Sequence, residues 1–280
     1  MSSLPEFVWI NGRVVRTSEA RLSPFEHGYT VGNGVFETLA FREGGFVALE
    51  RHHVRLTHSC AAMGLPVPPL NDFRAALMDA MLGNGMNEAR LRFTVSAGEG
   101  QPATNAVEGH ATMLAVATPL KPWPPTESVV IVPWTRNAND PLAGIKSTSY
   151  GGNVRALAHA KAHGAGEAIF ANTRGHLCEG TGSNVFLVRD GCVLTPPLSS
   201  GCLAGVTRAL VIESSTAIEQ DIPIEWFEQA DEAFLTSSTR DVHPIAAIDG
   251  RALAVVNGEA TQRVAAALVA ALAAEAQADA

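Results

Sequence analysis

Lysine is almost missing: of the 20 basic side chains in this 280-residue chain only Lys121, Lys146 and Lys161 are lysines, so any lysine chemistry has three candidates. Charge of either sign is sparse at 17% of residues and sums to −8 at pH 7. With no basic footprint, nucleic acid is not an expected partner. Long apolar runs are lacking too. The alanine-rich stretch Val264 to Ala274 falls well short of the roughly 20 residues a membrane span needs, and the opening MSSLPEFVWINGR lacks the layout of a secretory leader. The expected location is the cytoplasm, with no membrane partner. Cysteine is scarce, and Cys60, Cys178, Cys192 and Cys202 form no CxxC pair or zinc-like spacing, as suits small apolar side chains in a reducing compartment.

Several catalytic signatures are also absent. GIKST has Ile145 and Asp140 where a Walker-type phosphate loop needs glycines, and no GxSxG elbow occurs. His159 and His163 stand four apart with Ala160 in place of the glutamate of HExxH, while His52, His53 and His58 do not share one helical face. No metal is expected.

What is present is a 46% hydrophobic composition, ample for real cores. VWI-NG-RVV reads as a hairpin turning at Asn11-Gly12, and VFETLAFREGGFVAL as a second turning at Gly44-Gly45. In the helix that follows, Leu49, His53, Leu56, Cys60 and Met63 form an apolar stripe, with Arg51, His52, Arg55 and Ser59 off it. A second helix spans roughly Asn71 to Leu82, and two strands close this half. KPWPPT, with three prolines in six residues, reads as a linker. The expected organisation is a small N-terminal domain over 1–120, a linker over 121–127 and a larger C-terminal domain over 128–280 that carries Lys146. Helices at Asn153 to His163 and from Val206 alternate with tight hairpins, which predicts an α+β fold with mixed or antiparallel sheets and flanking helices.

Lys121 and Lys161 lie in solvated settings, whereas Lys146 lies in PLAGIKSTSYGGN, a glycine- and serine-rich connection suited to presenting one side chain to a cleft. A lysine in a partly desolvated site is a nucleophile for Schiff-base chemistry. Glu179 in CEGTGSN suits a partner for a basic heterocycle, because a carboxylate keeps a pyridine nitrogen protonated. LAGVTRAL starts a helix whose Val206 and Thr207 N–H groups form an anion site. LTSSTRD adds Ser237, Ser238 and Thr239, and Arg51 a fixed positive charge.

Taken in order, EHGYTVGNGVFETL, ERHHVRL, GIKSTSYGGN, EAIFANTRGHLCEGTGSNVFLV, TPPLSSGCLAGVTR and ADEAFLTSSTRDVHPI resemble the class IV family of pyridoxal-phosphate enzymes over nearly the whole chain. That family includes branched-chain aminotransferases, D-amino-acid aminotransferases and aminodeoxychorismate lyases. The resemblance implies a two-domain fold with pyridoxal 5'-phosphate between the domains and a homodimer. It implies that Lys146 forms the internal aldimine and moves the α-proton, and that Glu179 faces the pyridine nitrogen. Arg51, Val206, Thr207, Ser238 and Thr239 would hold the phosphate, with Tyr150 near the phenolic oxygen. Tyr29, Thr38, Arg92 and Arg240 are candidates for the substrate. The implied function is transfer of an amino group from a small amino acid, of D or branched-chain type, to a 2-oxo acid. The alternatives are 4-amino-4-deoxychorismate lyase and a non-enzymatic pyridoxal-phosphate protein, the last opposed by the joint presence of Lys146, Glu179 and Arg51.

Overall fold

The computed structural model describes residues 4–101 and 110–278. The chain divides into two units, Met1–Lys121 with Ile145–Ser149, and Pro122–Gly144 with Tyr150–Ala280.

In the first unit, β1 (Phe7–Ile10) and β2 (Arg13–Arg16) pair across Asn11 and Gly12, whose φ values of 46° and 86° are those a two-residue hairpin turn demands. A short helix, α1 (His27–Thr30), leads into β3 (Gly34–Arg42) and β4 (Gly45–Phe46). Their turn residues are Glu43 and Gly44 rather than Gly44 and Gly45, because Arg42 pairs with Gly45 and leaves the positive φ to Glu43. Helices α2 (Leu49–Ala62) and α3 (Leu70–Gly83) precede β5 (Ala89–Ser96) and β6 (Thr112–Thr118). The six strands run in the order β2-β1-β6-β5-β3-β4, all neighbours antiparallel. Val35, Leu39 and Phe41 join Leu49, Leu56, Phe73 and Leu77 in one core under α2 and α3. By the period of two, Phe36 and Thr38 point to the other face of the sheet.

The stripe predicted on α2 is only partly the buried one. Leu49, Leu56 and Cys60 are buried, but so are His52, Arg55 and Ser59, while His53 and Met63 are only half-buried. The cause is Glu37, which sits on the helix-facing side of β3 with no exposed surface and draws the polar side chains inward. The expectation that Lys146 rides on the C-terminal domain is corrected as well. Its segment groups with the first unit because it pairs with the start of β3, where Phe36 N–H donates to Lys146 O (2.9 Å) and Thr148 N–H to Gly34 O (2.8 Å).

In the second unit, β7 (Glu127–Ile131), α4 (Gly151–Ala162), β8 (Glu167–Ala171), β9 (Leu177–Gly180), β10 (Asn184–Arg189) and β11 (Cys192–Thr195) precede α5 (Val206–Ser214). Then follow β12 (Ile218–Glu219), α6 (Ile224–Glu228), β13 (Glu232–Ser237), β14 (Asp241–Ile248), β15 (Arg251–Ala252) and α7 (Glu259–Ala278). Strands run β12-β11-β10-β13-β14-β7-β8-β9, with β15 beside β14. Three pairs, β11/β12, β14/β7 and β7/β8, are parallel and the others antiparallel, so the sheet is mixed as predicted.

Candidate active site

In the first unit the site is built on β3. Successive residues of that strand serve opposite faces, so Phe36 and Glu37 do different work. The Phe36 ring carries two cations: Lys146 Nζ lies 4.5 Å and Arg92 Cζ 3.7 Å from its centroid. By those distances Nζ and Cζ are at most 3.7 plus 4.5, or 8.2 Å, apart. Thr38 is the cross-strand partner of Arg92, and Arg92 Nε donates to Thr94 Oγ1 at 3.4 Å. The backbone of Lys146 is tied at both polar atoms, since its N–H donates to Ser59 Oγ at 3.4 Å and its carbonyl accepts from Phe36.

Behind the sheet, Glu37 accepts Arg55 Nε at 2.8 Å and Nη2 at 2.7 Å, and meets His52 Nδ1 at 2.7 Å. Burial pushes the Glu37 carboxyl up, but the Arg55 charge, its hydrogen bonds and His52 outweigh that and hold it well below its ordinary 4.5. Burial lowers His52 despite Glu37, so its imidazole is neutral at pH 7 and the proton is assigned to Nδ1, facing the carboxylate. The group is thus one carboxylate and one guanidinium, charge-balanced, under the lysine segment.

In the second unit Glu179 stands on β9, where its Oε2 accepts the Leu203 N–H at 2.9 Å and its Oε1 lies 3.4 Å from Arg136 Nε. Arg136 lies over the Phe170 ring (4.3 Å) and donates through Nη2 to Asn153 Oδ1 (2.8 Å). Leu203 opens the turn that delivers α5: Gly205 caps the helix with no side-chain bond, so the first N–H groups, including those of Val206 and Thr207, point outward from the helix start. A Cβ on Gly205 would collide with Asn184 Oδ1, which is why glycine stands there. Asn184 Nδ2 donates to Leu203 O (2.9 Å), and Asn184 is also the register partner of Thr236. The helix start therefore lies at the same end of the sheet as the turn after Ser237. That turn holds Ser238 and Thr239, with Arg240 N–H closing on Ser237 O at 3.1 Å. The thiols that flank Glu179 and Leu203, Cys178 and Cys202, are buried, which pushes both up, Cys202 to about 11.

Lys146, Arg92 and Thr38 are thus brought together, with Arg51 half-buried on α2. Tyr29, on α1, is 80% exposed and touches none of them in a described contact. In the second unit Glu179 reaches the segment before Val206 and Thr207 through the Leu203 N–H, the turn of Ser238 and Thr239 lies at the same end of the sheet as the α5 start, and Tyr150 caps the start of α4. Arg240 departs from its expected role: its guanidinium is 8% exposed, lies 3.2 Å from Glu167 and 3.8 Å from Glu127, and covers the Trp123 ring at 3.9 Å. Its charge serves two internal carboxylates. Sequence reasoning missed Glu37, Arg55, Arg136 and Asn153; a glutamate among strand apolars, as in VFETLAF, was the one available signal. Among the described residues no group of three or more His, Cys, Asp or Glu is arranged to hold a metal.

The family described as amino-transferase class IV matches residues 34–248. The aminodeoxychorismate lyase of Bacillus subtilis is 31% identical over 265 residues, 91% of this chain and 90% of its own. The branched-chain aminotransferase of the thermophilic archaeon Thermoproteus uzoniensis, solved with norvaline, superposes with a TM-score of 0.89 at 29% identity, covering 98% of this chain and 97% of its own. A hypothetical aminotransferase from Mycobacterium tuberculosis, solved in a PLP-bound form, gives 0.84 at 26% identity and covers 96% and 99%. The family match spans well over half of the residues, and the chain belongs to the class IV aminotransferases.

Proposed function

We propose that this protein is a pyridoxal-phosphate-dependent aminotransferase that moves the amino group of a small amino acid, of branched-chain or D type, to a 2-oxo acid. The observation that carries this reading is the shared Phe36 ring, which keeps an amine and a guanidinium within 8.2 Å of each other, the pairing needed to react at one carbon while gripping the adjacent carboxylate.

The donor set fits the cofactor's three polar features. Lys146 is the amine to carry it, Glu179 the carboxylate to face a protonated pyridine nitrogen, and Val206 and Thr207 N–H with Ser238 and Thr239 the cradle for its phosphate. Arg51 belongs to that cradle, and Arg55 joins it as a candidate, being the α2 guanidinium buried on the face that meets the Lys146 segment. Tyr150 is assigned to the phenolic oxygen. When bound, the cofactor supplies an electron sink for negative charge at the carbon beside the substrate nitrogen. Glu179, held by the Leu203 N–H and Arg136, is placed to accept a ring N–H. Lys146 Nζ, as a free amine, takes the substrate proton and returns it. Arg92 with Thr38 and Tyr29 receives the substrate. We further assign the active form to a homodimer and the compartment to the cytoplasm, where the four free cysteines stay reduced. No helix among the described residues is long and apolar enough to cross a membrane.

The test is the visible spectrum of the protein with pyridoxal phosphate during sequential addition of D-alanine, L-leucine and L-glutamate. Bleaching by one of them is the expected result, and its handedness names the subclass. A cofactor band that none of them bleaches favours the second reading, 4-amino-4-deoxychorismate lyase, which the Bacillus subtilis relative supports; formation of 4-aminobenzoate and pyruvate from aminodeoxychorismate would establish it.

A further inference from the structure

Glu167 has no part in the chemistry above, yet it is fully buried at the first position of β8 and gathers five donors. Its Oε1 accepts Ala168 N–H (3.0 Å), Thr181 N–H (3.1 Å) and, in a short contact, the Thr181 hydroxyl. Its Oε2 accepts Ser183 Oγ (3.1 Å) and lies 3.2 Å from Arg240 Nη2. Thr181 and Ser183 belong to the loop that follows Glu179, and Arg240 ends the turn that carries Ser238 and Thr239. The carboxylate thus touches both loops that the cofactor reading uses, one for the ring and one for the phosphate. The chain of contacts also returns to Glu179: Thr181 O accepts Asn153 Nδ2 (2.6 Å), Asn153 Oδ1 accepts Arg136 Nη2 (2.8 Å), and Arg136 Nε lies 3.4 Å from Glu179 Oε1. Space is equally tight, since a Cβ on Gly180 would run into Ser183 Oγ and stand 3.3 Å from the Glu167 carboxyl carbon.

We propose that Glu167 is a positioning residue that locks the loop over 180–183 to the turn over 238–240, so that one buried carboxylate fixes the spacing between the ring-binding and the phosphate-binding ends of the site. The proposal rests on the cofactor reading for its consequence, but not for the lock itself. A carboxylate suits this place because both its oxygens accept from the donors around it, whereas a glutamine amide would present N–H groups to Ser183 or Arg240. The Arg240 guanidinium would lose the nearer of its two described carboxylates, Glu167 at 3.2 Å, and keep the more distant Glu127 at 3.8 Å.

The experiment compares Glu167→Gln, Glu167→Asp and Ser183→Ala with the unaltered protein, each held well below its own melting temperature. Hydrogen exchange is followed over 180–184 and 237–241, and pyridoxal-phosphate affinity by titration. In Glu167→Gln both segments should exchange faster together, and affinity should weaken about tenfold, the loss expected on removing charge-assisted hydrogen bonds. Ser183→Ala should loosen 180–184 alone and weaken binding about threefold, as for one neutral hydrogen bond. Glu167→Asp should rescue exchange over 237–241 in part, since the charge opposite Arg240 is kept. A merely structural glutamate would lower the melting temperature and leave affinity at the unaltered value; that result, or loosening of only one segment in Glu167→Gln, overturns the proposal. Should the Glu167 variants not fold, Ser183→Ala and Thr181→Val decide it, unchanged affinity in both being the refutation. If the unaltered protein binds no pyridoxal phosphate, the cofactor reading falls, and the exchange data alone decide whether the lock exists.

Discussion

Replacing Glu37 by glutamine tests the buried group behind Lys146. Glu37 is wholly buried and Arg55 is 9% exposed, so the variant leaves a guanidinium in the core without its carboxylate and with an amide N–H turned against it. Removing one partner of a buried ion pair costs about 3–5 kcal/mol. At about 2–4 °C per kcal/mol for a chain of this size class, melting should fall by roughly 6–20 °C. The pH dependence adds a sharper check. The folded pKa of Glu37 lies below its ordinary 4.5, so the stability it contributes is complete above 4.5 and is lost as pH falls toward the folded value. His52 also has a lowered folded pKa: the unfolded chain takes up its proton first, and stability declines as pH falls below 6.5 in both proteins. Urea unfolding of both proteins from pH 7 to pH 3 should therefore show a gap that narrows as pH falls below about 4.5, on top of any change between 6.5 and 4.5 that comes from His52 losing Glu37 as its partner. A gap under about 1 kcal/mol at pH 7, or one that stays constant to pH 3, would refute the assignment of a stabilising ionised Glu37.

Three further outcomes follow from the same geometry. Lys146→Ala should keep the circular dichroism and melting curve of the unaltered protein while turnover falls by at least about a thousandfold, checked by a coupled 2-oxo-acid assay. Arg92→Leu should raise KM for the amino-acid substrate by about 10- to 100-fold with a smaller change in kcat, as expected when a charge-assisted carboxylate contact is removed; steady-state kinetics at several substrate concentrations separates the two. Gly205→Ala should force Asn184 off Leu203 O, costing about 1–3 kcal/mol in thermal unfolding and weakening binding of inorganic phosphate or pyridoxal phosphate at the start of α5.

Much of the fold was legible because local chemistry dictated it. Asn11-Gly12 and Asp190-Gly191 are turns wherever they occur between apolar alternations, and both take the positive φ they imply. The extents of α3 and α4 followed from apolar spacing and glycine punctuation within one or two residues, and the start of α5 at Val206 was read directly. The α2 face was misread because periodicity counts only apolar residues, whereas Glu37, 15 positions before His52 and 18 before Arg55, makes a polar face the buried one. The Lys146 segment joined the first unit through backbone pairing with β3, a partnership over more than 100 positions that no local pattern encodes. Arg240 sits among hydroxyls in the sequence, and only the fold turns it toward Glu167 and Glu127. Lys146 itself stood out by scarcity, being one of three lysines and the one in a glycine- and serine-rich connection.

That scarcity makes the central claim directly measurable. The protein is incubated with pyridoxal phosphate, reduced with borohydride to fix any lysine linkage, digested, and its peptides are weighed. The label is predicted on the peptide carrying Lys146, and Lys121 and Lys161 are predicted to stay unmodified at stoichiometric cofactor. Label at Lys121 or Lys161 in place of Lys146, or none on any lysine, would contradict the account.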